Sequence, residues 1–269
     1  MSNFMDWEDP GVALITGASS GIGAEFARQL AAQGFDTVLV ARRKGKLEEI
    51  AGEIGKEGGK HDVFVADLAN EESILQVAQE IKSIGNLDIL INNAGFGTLG
   101  SFQDVEMKQQ LDMLSVHVNA TVHLSRAAID VMLPKKRGVI INLTSLASVT
   151  WYADHVMYCS TKAFIRAFSE SLQVDLNKTG IRVQALCPGY TRTQFRNVGD
   201  YAARDFHRSF LPDEMYSEKE EVVRHSLKAF KTKAVTVVPG ENNQNIFIES
   251  LSRDLRKLKR YEKKISELK

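Results

Sequence analysis

The sequence predicts an α/β protein built on one doubly wound parallel sheet of about seven strands, with helices on both faces. Three observations predict it. Short runs rich in β-branched residues alternate with segments long enough for crossover helices. The runs are almost continuously apolar, as strands covered on both faces must be. A glycine-rich turn follows the first run. Strand, helix, strand repetition then gives parallel pairing, because right-handed crossovers place the helices on both faces.

In order, the strands are expected at VALIT (12–16), TVLVA (37–41), DVFVA (62–66), LDILIN (87–92), GVIINLT (138–144), IRVQALC (181–187) and AVTVVP (234–239). The helices between them are expected at 21–34, 44–58, 71–84, 105–133 and 157–179. Nothing resembling a linker divides the chain. It is read as an extension at 1–10, a single domain at 11–245 with a lid over 190–220, and a basic amphipathic helix at 246–269. Sheets of this kind bind ligands beyond the carboxyl ends of their strands, where the strand order reverses, so the chemistry is expected just after the strands.

Composition narrows the function. Of 269 residues, 43% are hydrophobic and 25% charged, which suits a globular protein with a large core. Lysine plus arginine (34) balances aspartate plus glutamate (34), so no global field recruits nucleic acid or an anionic membrane. The N-terminal MSNFMDWEDPG lacks the pattern of a secretory or transit signal, and the expectation is a cytoplasmic protein. Cys159 and Cys187 are far apart in sequence, and the six histidines form no ligand pattern, so no metal site is expected.

TGASSGIG follows the first strand and places Gly17, Gly21 and Gly23 at the mouth of a helix. Glycines there let the backbone turn tightly and approach a pyrophosphate, whose charge the helix N-terminus favours. A carboxylate about 20 residues on would accept the ribose hydroxyls of NAD, whereas a basic residue suits the 2′-phosphate of NADP. The second strand ends LVARR, with Arg42 and Arg43 where the acid would stand, and the nearby Asp36 begins that strand at the opposite edge of the sheet. Arginine pairs with phosphate by charge-assisted bonds. NADP(H) is therefore expected over NAD(H), with Arg43 the easier of the two arginines to explain as merely solvated.

MYCSTKAF (157–164) sets a phenol and an ammonium four residues apart, so Tyr158 and Lys162 share a helix face. A cation about 4 Å away, at an effective dielectric of about 20, contributes on the order of 4 kcal/mol. That is enough to bring a phenol with an ordinary pKa near 10 toward neutrality, where it can serve as an acid or base. Ser145, ending INLTS, has a hydroxyl able to hold a substrate oxygen beside that phenol. Asn119, a polar residue in an apolar helical stripe, reads either as a satisfied core amide or as a group that bends the helix and holds a water.

TGASSGIG, NNAG (92–95), Asn119, Ser145, YCSTK (158–162) and PGYTRT (188–193), in this order, resemble the motif set of the short-chain dehydrogenase/reductase family over roughly residues 10–195. The resemblance implies a Rossmann-type catalytic domain that interconverts a ketone or aldehyde and an alcohol. It implies Tyr158 as general acid/base, Lys162 lowering its pKa while binding the nicotinamide ribose, Ser145 orienting the carbonyl, and Asn119 completing a water-mediated proton relay. It further implies a cofactor site made of Gly17, Ser19, Ser20, Gly21, Ile22, Gly23, Arg42 and Arg43, with Asp67 and Leu68 flanking the adenine. Asn93, Ala94 and Gly95 would pass the adenosine side, and Pro188, Gly189, Thr191 and Thr193 would border the nicotinamide and inner phosphates. One departure stands out: NADP-preferring relatives often carry a basic residue just before the second motif glycine, and here it is Ser20.

Phe195, Tyr201, Phe206 and Phe210 of the lid, with Phe96, Leu146, Tyr152 and Met157, are candidates for an apolar pocket or for ordinary packing. Arg192, Arg196, Arg204 and Arg208 would meet an acidic group or lie on a solvated face. In the C-terminal stretch, Ile248, Leu251, Leu255, Leu258, Ile265 and Leu268 recur at helical spacing amid lysines and arginines. Packing on the body or on another subunit is favoured there over an interfacial membrane contact or a frayed surface helix. Relatives commonly pair through the helices containing 105–133 and 157–179, so a homodimer or homotetramer is expected. The rivals to an enzyme are a non-catalytic sensor of the NADP redox state and an assembly protein acting through its last helix.

Overall fold

The computed structural model describes residues 3–197 and 212–267. Seven parallel strands form one sheet in the order β3-β2-β1-β4-β5-β6-β7. They are β1 (Val12–Thr16), β2 (Asp36–Ala41), β3 (His61–Val65), β4 (Leu87–Asn92), β5 (Gly138–Leu143), β6 (Ile181–Leu186) and β7 (Thr236–Val237). The expected fold is the observed one. The order reverses between β1 and β4, which opens the crevice at their carboxyl ends.

The central strands behave as their composition requires. Every residue of β4 and β5 is buried, whereas β3, at the edge, leaves Asp62 and Val65 exposed. β7 is shorter than expected. It gives way to Pro239, which has no N–H to donate to a ladder, and then to Gly240 at φ 87°.

Helices α1 (Gly21–Ala31), α2 (Lys44–Ile54) and α3 (Glu71–Ser83) begin where the sequence places them. The single helix expected over 105–133 is instead α4 (Met107–Leu114), a π-helical turn at Ser115–Asn119, and α5 (Ala120–Lys135). α6 spans Val156–Asp175, α7 spans Lys219–Ala229, and α8 runs over Glu241–Glu267, starting five residues before the expected boundary. α7 escaped the sequence reading. It packs beside α1, where Gln29 Nε2 donates to the Glu220 carbonyl at 3.0 Å.

Two cores flank the sheet. Phe26, Leu30, Leu47, Val223 and Leu227 fill one face, and Ile74, Val77, Leu124, Ala127 and Leu176 fill the other. The segment before β1 is tied to the first: Phe4 meets Phe35 and Phe230 at 6.1 and 5.4 Å. Polar groups fix the strands inside. Asn92 Nδ2 donates to Ser125 Oγ (3.1 Å) and Asn142 Oδ1 (2.8 Å), and Asn142 Nδ2 donates to Ser169 Oγ (2.9 Å). This buried ladder joins β4, β5, α5 and α6 just below the carboxyl edge, and every member has a partner, as burial demands.

At the opposite edge, the buried carboxylate of Asp88 accepts from Gly11 N–H and Lys135 Nζ, both at 2.9 Å, and from Arg137, whose guanidinium lies 4.3 Å from the Trp7 ring centroid. Asp88→Ala would strip these donors of their acceptor. A loss of about 3 kcal/mol is expected, read as a lower urea midpoint at unchanged slope, with the loss centred on the amino edge of the sheet and the cofactor affinity retained.

Candidate active site

The glycine loop is fastened across the switch point. Gly17 and Gly21 adopt φ of 66° and 60°, a region costly for any residue with a Cβ. A Cβ at Gly17 would stand 2.7 Å from Asn93 Nδ2 and 2.9 Å from Ala94 Cα. Asn93 explains the crowding: its Nδ2 donates to the carbonyls of Thr16 (2.8 Å) and Gly17 (3.3 Å). The N–H groups of Asn93 and Ala94 donate in turn to Thr16 Oγ1 at 2.9 and 3.0 Å. Asn93 and Ala94 thus zip β4 to β1 and shape the loop. Ile22 packs toward the core, and Gly23 abuts the Gly17 carbonyl.

The two arginines after β2 differ in posture. Arg43 Nη2 lies 2.9 Å from both Ser19 Oγ and Ser20 Oγ, folding its guanidinium over the loop. Arg42 faces Asp67 at 3.8 Å with both side chains largely exposed. Arg43, read as the easier of the two to explain as solvated, is exposed but hydrogen-bonded to the glycine loop. Asp67 also accepts from Ala69 N–H (3.1 Å), and Leu68 is buried in the second core with its carbonyl taken by Ser115.

Tyr158 and Lys162 face the same region from the first turns of α6. Lys162 is buried, and its Nζ donates to the Leu143 carbonyl at the end of β5 (2.9 Å) while lying 5.8 Å from the Tyr158 ring centroid. Thr144 Oγ1 closes the joint by donating to the Lys162 carbonyl at 2.8 Å. Burial lowers the Lys162 ammonium from its usual range to about 7. Ser145 is half-buried two residues beyond Leu143, and its Oγ accepts from Ala147 N–H at 3.2 Å.

Asn119 belongs to the neighbouring helical segment. It is exposed at the end of the π-helical turn, whereas His117, two residues earlier, is buried against Tyr158 with ring centroids 6.0 Å apart. Two residues correspond to roughly half a helical revolution, so only one of the pair can face inward. His117 Nε2 accepts from Phe96 N–H at 3.2 Å, and its Nδ1 lies 2.8 Å from Thr161 Oγ1. Burial first, and the Lys162 charge second, hold its pKa well below the usual histidine value. A helical phase that accounted for the π-helical turn would have found it.

The loop after β6 closes over the glycines. Pro188 accepts from Leu146 N–H at 3.1 Å, Gly189 lies against the Asn243 side chain at the start of α8, and Thr191 Oγ1 donates to the Gly189 carbonyl at 3.1 Å. Thr193 approaches to within 3.2 Å of where a Gly21 Cβ would sit. The Phe195 ring lies 6.1 Å from that of Tyr158. Arg192 pairs with Asp213 and Glu218, both at 2.9 Å. Tyr201, Arg204, Phe206, Arg208 and Phe210 lie outside the described residues.

The residues present fit a dinucleotide. The loop holds its glycines where side chains would collide, α1 opens without a side-chain cap on its N–H groups, and a guanidinium stands beside it. Fold and site together define a nucleotide-dependent oxidoreductase. Residues 11–200 match the short chain dehydrogenase family. An oxidoreductase of Staphylococcus epidermidis is 33% identical over 72% of this chain and 83% of its own length. A ketoacyl reductase named for the granaticin polyketide synthase of Streptomyces violaceoruber is 36% identical over 68% of each chain. Two solved structures are similar over most of their length. A short-chain dehydrogenase of Sphingobium yanoikuyae in complex with NADPH has a TM-score of 0.80 at 29% identity, covering 93% of this chain and 94% of that one. The bulky-bulky ketone specific alcohol dehydrogenase of Comamonas testosteroni has a TM-score of 0.78 at 28% identity, covering 93% of each. The chain belongs to the short-chain dehydrogenase/reductase family.

Burying His117 as a neutral ring has a thermodynamic signature. Its folded pKa is below the unfolded value of 6.5, so below pH 6.5 the unfolded chain binds a proton that the folded one refuses. Stability attributable to this group is full above pH 6.5 and is lost as pH falls toward the folded value. The stability difference between the wild type and His117→Phe should therefore shift against the wild type as pH falls below 6.5, with a limiting slope of about 1.4 kcal/mol per pH unit. Urea unfolding of both proteins between pH 7.5 and 5 measures it.

Proposed function

We propose that the protein is an NADP(H)-dependent oxidoreductase that interconverts a ketone or aldehyde and an alcohol, with Tyr158 as general acid/base. The observation that carries this is the placement of the Tyr158 ring 5.8 Å from the Nζ of a buried lysine that bonds the last carbonyl of β5. The NADPH complex and the ketone-directed and ketoacyl-directed relatives support it.

When bound, the nicotinamide supplies or accepts the hydride at the carbonyl carbon. Tyr158 donates a proton to the carbonyl oxygen in reduction and recovers one in the reverse direction. Lys162, whose Nζ lies 5.8 Å from the Tyr158 ring centroid, stabilises the phenolate. Ser145 Oγ orients the carbonyl oxygen, and Asn119, at the end of the π-helical turn, completes a water-mediated proton relay. Arg43, with Ser19 and Ser20, holds the 2′-phosphate; Arg42 shares itself with Asp67 and contributes less.

The 190–220 segment serves as the substrate lid, and homo-oligomers form through α4, α5 and α6, which leave Met107, Leu111, Phe164 and Val174 exposed. Among the described residues, no helix is long and apolar enough to cross a membrane, and we place the protein in the cytoplasm. The apolar side chains of α8 from Ile248 to Ile265 are exposed rather than packed on the body, which leaves the second subunit as the favoured partner of that helix.

Oxidation of NADPH and of NADH with aldehydes, bulky ketones, steroids, β-keto esters and 3-ketoacyl thioesters tests the reading. Tyr158→Phe should abolish turnover while its NADPH dissociation constant stays within about threefold, because the phenol acts in the transition state. Near-normal turnover would refute the assignment. Arg43→Ala should raise KM for NADPH about 10- to 100-fold, the range of a charge-assisted bond of about 1.5–3 kcal/mol, and leave KM for NADH nearly unchanged.

A further inference from the structure

His117 is only 1% exposed, and both of its ring nitrogens are engaged. The partner of Nε2 is the backbone N–H of Phe96, a group that can only donate. Nε2 must therefore carry the lone pair, which places the ring proton on Nδ1. Nδ1–H donates to Thr161 Oγ1, whose own hydrogen goes to the Tyr158 carbonyl at 3.1 Å. One donor-only amide thus fixes every proton in a chain that runs from the loop after β4 to the first turn of α6.

The surroundings agree with a ring built into this place. Its edge meets the Tyr158 ring at 6.0 Å, and the Phe96 ring lies 6.1 Å away. Gly95 makes the room, since a Cβ there would come within 2.8 Å of Nε2 and 3.6 Å of Lys162 Nζ. Among the described residues, the titratable groups found against His117 are Lys162 and Tyr158, both on α6; the loop after β4 contributes Gly95 and Phe96, which do not titrate.

We propose that His117 is a positioning residue: held as the neutral Nδ1–H tautomer, it clasps the loop after β4 to α6 and sets where the Tyr158 phenol stands. This rests on the reading of Tyr158 as the acid and adds the device that aims it. A second proton on the ring would set Nε2–H against Phe96 N–H, two donors face to face beside an ammonium, so the clasp exists only in the neutral ring.

Three variants and one spectrum test this. His117→Phe keeps an aromatic ring and loses both bonds. Thr161→Val loses only the Nδ1 bond, and His117→Asn returns a donor near Nδ1. With any carbonyl turned over in the panel above, kcat is expected to fall about 10- to 100-fold in His117→Phe, the cost of misplacing a catalytic group by about 1 Å. KM for NADPH should stay within about threefold, Thr161→Val should show an intermediate loss, and His117→Asn should recover most of it. In ¹⁵N-histidine spectra of the wild-type protein, the resonances missing from His117→Phe should show a pyrrole-type Nδ1 and a pyridine-type Nε2 that persist below pH 6.5. If His117→Phe does not fold, Thr161→Val carries the kinetic test and identifies the ring by the shift it causes. An Nε2–H tautomer, titration at the ordinary histidine pH, or wild-type kcat in the clasp variants would overturn the proposal. Tyr158→Phe separates the two claims: if it retains turnover the acid assignment falls, whereas an inactive Tyr158→Phe beside fully active clasp variants removes only the positioning role.

Discussion

The site depends on one buried cation. Lys162 has left water for a position behind β5, where the Leu143 carbonyl takes one of its hydrogens and Thr144 bonds back to its own backbone. Removing an ammonium from water is costly, and the cost appears in its lowered pKa of about 7. The ladder of Asn92, Asn142 and Ser169 ties β5 to α6, the two elements between which the amine is buried. Four residues earlier on the same helix stands the Tyr158 ring, its centroid 5.8 Å from the amine.

Around that cation the carboxyl edge of the sheet is arranged in three joints. Thr16 and Asn93 tie the glycine loop to β4, Thr193 lies against Gly21, and His117 with Thr161 ties the loop after β4 to α6. Each joint places a glycine where a side chain would collide and a polar group where a backbone bond needs a partner. Preorganisation of this kind lets a modest electrostatic effect act on a bound carbonyl without rearrangement of the protein.

Much of this was legible in the sequence, and the failures have physical causes. Strand positions were readable because buried parallel strands are continuously apolar, and the glycine loop because only glycine tolerates its backbone. Tyr158 and Lys162 were readable because an α-helix fixes four-residue spacing. The burial of His117 was not readable because the π-helical turn at Ser115–Asn119 shifts the helical phase, and a residue inserted into a helix leaves no mark in composition. Arg42 and Arg43 are chain neighbours that fold in different directions, so which one covers Ser19 and Ser20 depends on the turn into α2. Asp67 faces Arg42 across the ends of neighbouring strands β2 and β3, a pairing that the strand order brings about.

The central claim is that the buried lysine makes the neighbouring phenol acidic. Labelling the tyrosine ring carbons with ¹³C and following the Tyr158 signal against pH, in the wild type and in Lys162→Met, measures it directly. The account predicts that the wild-type signal moves well below the ordinary tyrosine value of about 10 and returns toward that value when the amine is removed. A Tyr158 signal that titrates near 10 in both proteins would contradict it.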